Sequence, residues 1–497
     1  ECSSSVVNRG TASRHTAAGP SRQRRVCSSM GQSSAKHEPD SIHPFTVAET
    51  AGLRASFLRL LGTPSAKPPT LHDRKHCVTQ ATMQAALTAS GLKSERPLGA
   101  ALWRVFVRDV ETGKLHFEAF VQAVQRCTRS SAVAKLRELS CLVHALCGHE
   151  LPKGRPNWTL SHAELGMLFA LPLVLLSAAG PADDVDAVSQ RAAQLLRADA
   201  ERSCGANPRA GAWLEWAQQA VPSLPAALTA LVARHCIGDA PLRAPHTPMG
   251  RLRSSSRLLA PEHVFCLSCA SEALHCDWHL LYDSAEHGLS FNRLAHHVVG
   301  YKGPTLLVVR STVGQVLGGY ASTEWQDDAD FGGAATSFLF SLAPQWHVYR
   351  ASGLSAAQEN YMFLNRASKA RPCGLGMGGS MELPRLWIGE SIDDCRASHI
   401  DLTFEMGPLL WTPEGSSASE DGKFATEAME VWGLGGASAA AAQASSRQED
   451  ARIRERMRKV NKAAFLDNDF DKEMMLGKLY GHRGQVDGRA REDEAGE

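Results

Sequence analysis

"GPTLLVVRSTVGQVLGGYAS", Gly303 to Ser322, decides how the second half of the chain folds. Thr305–Val309 is an unbroken apolar and β-branched run. Val316, Leu317 and Tyr320 form a second run after a turn at Gly314. Two such runs separated by a few residues that include glycine read as paired strands in a hairpin. "SFLFSLAPQWHVYRAS" and "ELPRLWIGES" have the same character, and "EAMEVWGL" reads as a last strand ending at Gly433. Between them lies "GLGMGG", Gly374 to Gly379, which satisfies G-x-G-x-x-G. The dinucleotide fingerprint must leave a strand and open a helix, whereas this one is followed by strand-like sequence with Pro384. It is expected to be a tight glycine loop between strands. "WQDDADF", Trp325 to Phe331, is expected to be a solvated loop.

Upstream, "CLSCASEALHCDWHLLYDS", Cys266 to Ser284, offers a C-x-x-C pair with Cys276 and His279 at short spacing. Tetrahedral zinc sites often begin this way. Pro261 and Glu262 open a helical pattern, however, with Val264, Leu267, Ala270 and Leu274 at helical spacing. On a helix Cys276 lies about two turns beyond Cys269, so one ion would reach all four poorly. No metal is assigned there.

The first half is helical in pattern. Leu53, Phe57, Leu60 and Leu61 share a face, as do Leu136, Leu139, Leu142, Val143 and Leu146. The long uncharged run Leu165–Ala182 contains Pro172 and Gly180. It reads as a buried helix opened by the capping box Ser161-x-x-Glu164 rather than as a membrane span. "RDVETGKLHFEAF", Arg108 to Phe120, resembles an EF-hand loop aligned on Gly113, but position 12, where calcium needs a bidentate Glu, is Ala119. A second loop, ending at Glu164, has no carboxylate in its upstream half. Both read as EF-hand-like shapes without tight calcium binding.

The chain has 497 residues, 43% hydrophobic and 21% charged, with a formal net charge of +1. No global field steers nucleic acid toward it. Thirteen scattered cysteines in so long a chain fit a reducing compartment. Residues 1–29, rich in Ser and Arg, are expected to be a transit-like leader or a non-native upstream segment. From Met30, "MGQSSAKH" presents Gly31 in a pattern close to an N-myristoylation signal, with Ala35 where Ser or Thr is usual.

From about Leu258 to Leu434 the chain resembles the TLDc domain. The matching stretches run in the family's order: "LLYDSAEHGLSFNRL", "GPTLLVVRSTVGQVLGGYASTEW", "SFLFSLAPQWHVYRASG", "NYMFLN", "GLGMGG", "LWIGES", "LTF" and "MEVWGL". The motif residues are Gly318, Gly319, Tyr320, Trp325, Gly374, Gly376, Gly378, Gly379, Trp387, Glu430, Trp432 and Gly433. Two places depart from the family pattern: Arg310-Ser311 after the "TLLVV" strand, and "DDCRASHIDLTF". The resemblance implies a β-sandwich edged by helices, no catalytic residues, a role in oxidative-stress protection and binding to the vacuolar-type proton ATPase. The wider arrangement is similar to a TLDc subgroup of mTOR-associated proteins at the cytosolic face of lysosomes, which supports Met30 as the start and lipid attachment at Gly31.

The expected fold class is α+β: an N-terminal all-α EF-hand-like region, a TLDc sandwich edged by helices and a C-terminal helix. The segments are a leader (1–29), a flexible N-terminus (30–45), the helical region (46–237), a linker (238–257), TLDc (258–434), a linker (435–445), a C-terminal helix (446–480) and a disordered tail (481–497). Ile453, Met457 and Val460 form a narrow apolar stripe on that last helix, suited to a partner's groove. The expected function is that of a non-enzymatic adaptor. Its partners would be V-type ATPase subunits and mTOR complex components, with peripheral membrane association and no cofactor or metal. Two alternatives stand beside it: a cysteine-dependent antioxidant using Cys373, and a calcium-sensing adaptor.

Overall fold

The computed structural model describes residues 41–63, 67–89, 97–151, 157–177, 185–237, 249–328, 330–354, 360–366, 368–411 and 422–459. The helical part opens with α1 (Val47–Leu60), α2 (Gln80–Ala89), α3 (Leu98–Val107), α4 (Phe117–Thr128), α5 (Ala132–Leu146) and α6 (His162–Ser177). It continues through α7 (Val185–Cys204), α8 (Ala210–Ala220) and α9 (Ala226–Cys236). A capping box starts α1: the Thr46 hydroxyl accepts from the Glu49 amide, and Glu49 accepts from the Thr46 amide. Leu53, Phe57 and Leu60 are buried, as are Leu136, Leu139, Leu142 and Val143 of α5, so the faces read from periodicity are core faces.

These helices form EF-hand-like pairs. The loop between α1 and α2 meets the loop between α3 and α4 through an antiparallel bridge, Val78 to Leu115. The loop between α5 and α6 meets the one between α7 and α8 through a second bridge, Thr159 to Arg209. The capping box predicted at Ser161 and Glu164 is present and opens α6. Pro172 sits inside α6, whose described apolar residues Leu165, Leu168, Phe169 and Leu173 are buried. Among the described residues, no helix is long and apolar enough to cross a membrane.

Then come β1 (Arg251–Leu252), α10 (Pro261–Ala270), a 3-10 turn (Glu272–Leu274), β2 (Asp277–Asp283), α11 (Ser284–His287) and α12 (Phe291–Val298). The strands β3 (Thr305–Ser311), β4 (Val316–Ala321), β5 (Phe338–Ala343), β6 (His347–Tyr349), β7 (Phe363–Asn365), β8 (Gly374–Gly379) and β9 (Pro384–Gly389) follow. The chain continues with β10 (Cys395–Ala397), β11 (Lys423–Phe424), β12 (Thr426–Gly433) and α13 (Gly436–Lys459). One sheet has the order β1-β2-β12-β3-β4-β5-β6, the other β11-β10-β9-β8-β7. The hairpin read from sequence is β3–β4, in register from Thr305 opposite Ala321 to Arg310 opposite Val316.

The larger sheet is buried on both faces, which is why its strands are continuous apolar runs rather than alternating ones. Leu307, Val309, Leu317 and Leu339 pack toward Leu375, Met377, Leu386 and Ile388 of the second sheet. Their neighbours Leu306, Val308, Tyr320 and Phe340 join a single core that runs on through α10 into the EF-hand-like helices. The molecule is therefore layered: helices, large sheet, small sheet.

Three expectations need correction. "GLGMGG" is strand β8 itself, not a loop between strands; a Cβ on Gly374 would lie 2.3 Å from the Trp387 ring, so the glycines make room for that indole across the β8–β9 ladder. The C-terminal helix begins at Gly436, not after the Gly/Ala/Ser segment 435–445. That segment is alanine-rich, and alanine is the strongest helix former. In the expected linker 238–257, Arg251–Leu252 is a strand paired with β2, and Glu430 accepts hydrogen bonds from the Ser256 hydroxyl (2.6 Å) and the Arg257 amide (2.7 Å).

Candidate functional site

At one end of the sandwich three loops carry exposed apolar side chains: Leu354 after β6, Leu383 between β8 and β9, and Ile400, Leu402 and Met406 after β10. Leu402, at 67% exposure, and Leu354, at 72%, point outward although the backbone beneath them is tightly held. Ser352 donates its amide to the Thr403 carbonyl at 2.9 Å, and Gly379 donates its amide to Asp401 Oδ2 at 3.0 Å. The three loops are thus one tied surface.

The anchor is a charge pair inside the fold. Arg385 is wholly buried and Asp401 nearly so, with Nε and Oδ1 3.3 Å apart. The same Asp401 carboxylate accepts from the amides of Thr403 (3.0 Å) and Phe404 (3.1 Å). Arg385 donates to the carbonyls of Ser398, Glu405 (3.1 Å) and Gly407 (2.7 Å), and its guanidinium lies 5.0 Å from the Tyr349 ring centre. One buried cation therefore pins the loop 398–407 along its length. Burial pushes the Asp401 carboxyl above the usual carboxylate value, against Arg385 and the three amides; burial likewise pushes Arg385 down, against Asp401. Gly379 takes a left-handed φ of 78°, which aims its amide at Asp401. Neither Arg385 nor Asp401 stands out in the sequence. The Asp-x-Thr-Phe run, in which a carboxylate accepts from amides two and three residues on, is the turn signal that could have found the loop.

The sequence-derived motif residues lie behind this surface. Gly318, Gly319 and Tyr320 are buried in β4, and Trp325 is buried with its indole N–H on the Thr305 hydroxyl at 2.7 Å. Gly374, Gly376, Gly378 and Gly379 belong to β8, and Trp387 faces them from β9. Glu430, Trp432 and Gly433 end β12, with the Trp432 indole donating to Glu430 at 3.0 Å. These residues hold the fold; they do not converge on a reaction centre. From "WQDDADF", Trp325, Gln326, Asp328, Asp330 and Phe331 line a cavity of about 220 Å3 between Thr323 and Leu364.

The C-terminal helix is half docked. Ala439 and Gln443 are buried, and Gln443 and Arg447 donate to the His297 carbonyl, both at 2.9 Å. Farther on, Ile453 is exposed at 44%. The Met457 side chain, Val460 and Gly31 lie outside the described residues.

Two acids of the EF-hand-like loops, Asp109 and Glu164, are already engaged. Asp109 is paired with Arg108 at 3.0 Å and kept below the usual value: burial opposes this, but Arg108 and the nearby Arg126 and Arg137 outweigh it. Glu164 is bonded to His144. Cys266 and Cys269 are buried in α10, and burial pushes both thiols up. Cys276 lies half-buried beyond the helix, its thiol 3.5 Å from the Leu434 carbonyl, and its pKa is pushed up to about 11. High thiol pKa values disfavour the reactive thiolate. Cys373 is half-buried, its sulfur 3.6 Å from the Arg366 carbonyl.

Residues 252–435 match the TLDc domain model. The chain is similar to the MTOR-associated protein MEAK7 of Gallus gallus, 29% identical over 308 residues, covering 60% of each chain. It is also similar to MTOR-associated protein MEAK7 of Xenopus laevis, 32% identical over 216 residues, 42% of this chain and 40% of the relative. Oxidation resistance protein 1 of Rattus norvegicus is 27% identical over 183 residues, 36% of this chain and 20% of the relative. The chain thus spans less than two thirds of the length of each of these curated relatives.

Proposed function

Because the chain carries a TLDc domain across residues 252–435, we propose that it is a non-enzymatic adaptor that docks on the vacuolar-type proton ATPase and regulates it. It works peripherally on the cytosolic face of a lysosomal or vacuolar membrane, with links to oxidative-stress resistance and mTOR signalling. The names of its relatives support those two links. The observation that carries the docking reading is the rigid apolar rim. Exposed apolar groups on loops pinned by Arg385 and Asp401 lose little freedom on binding, and preorganised contacts of this kind make efficient interfaces. The distal half of α13, with Ile453 exposed, supplies a second tethered contact, as does an acyl group on Gly31.

The test is capture from membrane extracts with the full chain and with Leu402→Asp/Met406→Asp. Both side chains are exposed, so the variant keeps its fold. The full chain is expected to recover ATPase subunits and the variant about tenfold less or worse, as loss of about 1.4 kcal/mol or more of apolar anchoring implies. Recovery of no ATPase subunit by the full chain would end the reading. Equal recovery by the variant would move the contact off this rim.

A further inference from the structure

One cluster lies far from the rim, in the loop between α5 and α6. His144 is on the last turn of α5 and is buried. Gly148, with φ of 87°, reverses the chain there and lays the His149 ring over the His144 ring, with centroids 4.6 Å apart. Trp158 covers the other face of His144, also at 4.6 Å. Glu164, 2% exposed, enters from the first turn of α6: its Oε1 is 2.6 Å from His144 Nδ1 and 4.0 Å from His149 Nε2. Its Oε2 is held by the amide and the hydroxyl of Ser161, each at 2.8 Å.

We propose that His144, His149 and Glu164 bind a divalent first-row transition ion of the zinc type. The donors are two imidazole nitrogens and one carboxylate oxygen, all within 4.8 Å of one another. That set suits zinc and its neighbours, while calcium requires six to eight oxygens. Bonds of 2.0–2.1 Å at tetrahedral angles put ligand atoms about 3.3–3.4 Å apart. The 2.6 Å contact must therefore open and the 4.0 Å contact close, each by about 0.7 Å. His149 is the solvent-facing ligand and can make the closing movement, since its side chain is 54% exposed. The other two are preoriented, His144 by the stacked rings and Glu164 by Ser161, as outer contacts orient ligands in metal sites. On binding, His144 ligates through the Nδ1 lone pair as a neutral ring protonated on Nε2, and the proton between Nδ1 and Glu164 Oε1 passes to water. Three protein ligands leave a fourth position for water or a partner's side chain. The site also ties α5 to α6, so an ion there would brace one EF-hand-like pair with nitrogen donors where calcium-binding loops use oxygens.

The proposal does not depend on the docking rim. Its test is titration of the full chain with zinc under chelator-buffered conditions, with cobalt(II) as the spectroscopic probe. One equivalent is expected, with a visible cobalt band and no sulfur charge-transfer absorption. His149→Ala keeps the buried His144–Glu164 bond and the Trp158 face of the stack, so its melting without metal should fall only slightly. Its zinc affinity should fall by more than the about 10–100-fold typical of losing an outer-sphere partner. Binding of less than one equivalent overturns the site, as does equal affinity in His149→Ala or a cobalt spectrum with sulfur character.

Discussion

The residue that organises the sandwich end is Arg385, and its partner Asp401 sets the size of the effect. Asp401→Ala leaves a guanidinium fully buried without its counter-charge and strips three amides of their acceptor. Removing one member of a buried pair costs about 3–5 kcal/mol. Urea unfolding should report a loss of that order; a loss under about 1 kcal/mol would match an exposed ion pair and refute the anchoring role. Replacing both residues with apolar ones of similar size should recover part of the loss, because the uncompensated charge is gone. Such a pair is hard to read from sequence. Arg385 stands in "ELPRLWIGES" as an ordinary strand residue, and only the arrival of carbonyls from Ser398, Glu405 and Gly407 makes its burial tolerable. Gly374 is the opposite case: its glycine was legible, but its reason, the Trp387 ring, was not.

At the scale of the element, α13 carries a pH response. Its Gln443 and Arg447 grip the end of α12, where His297 sits beside His287, with ring centroids 4.0 Å apart, and His296. Arg293 bonds the His287 carbonyl from the same side. Burial, His287, Arg447 and His296 together push His297 down to about 4. The folded value is below the ordinary one, so the neutral ring is favoured by folding. Its contribution is complete above the ordinary histidine value and is lost as pH falls toward about 4. Hydrogen exchange of amides 437–447 should therefore quicken between pH 7 and 4, and the acceleration should shrink in His297→Gln. Exchange independent of pH, after correction for its intrinsic dependence, would refute the coupling. Helix periodicity could not show this, because the docked part of α13 holds the sandwich through the polar Gln443 and Arg447 beside one small buried residue, Ala439, rather than through an apolar stripe.

For the molecule as a whole, the telling contact is Asp199 of α7. It is fully buried and accepts from the Trp216 indole (3.1 Å), Arg202 (2.8 Å) and, across the helix–sheet boundary, His347 Nδ1 (2.6 Å). Arg202 also donates to the Trp346 carbonyl, and Arg350 reaches the carbonyls of Gln219 and Ala270. With an apolar core continuous through this boundary, the helices and sandwich should unfold together. Calorimetry should give one transition for the full chain. Asp199→Ala should lower stability by about 2–3 kcal/mol, the scale of lost charge-assisted hydrogen bonds, and begin to separate the transition into two. An unchanged transition would show that the boundary network is inert. The helical faces, the capping box at Ser161 and the β3–β4 hairpin were written in the sequence, because periodicity, caps and turn residues act over a few neighbouring positions. The burial of the large sheet on both faces, the Arg385 clamp and the meeting of His144, His149 and Glu164 were decided only by the tertiary structure. Each depends on which distant segments pack together, and a local pattern holds no record of that.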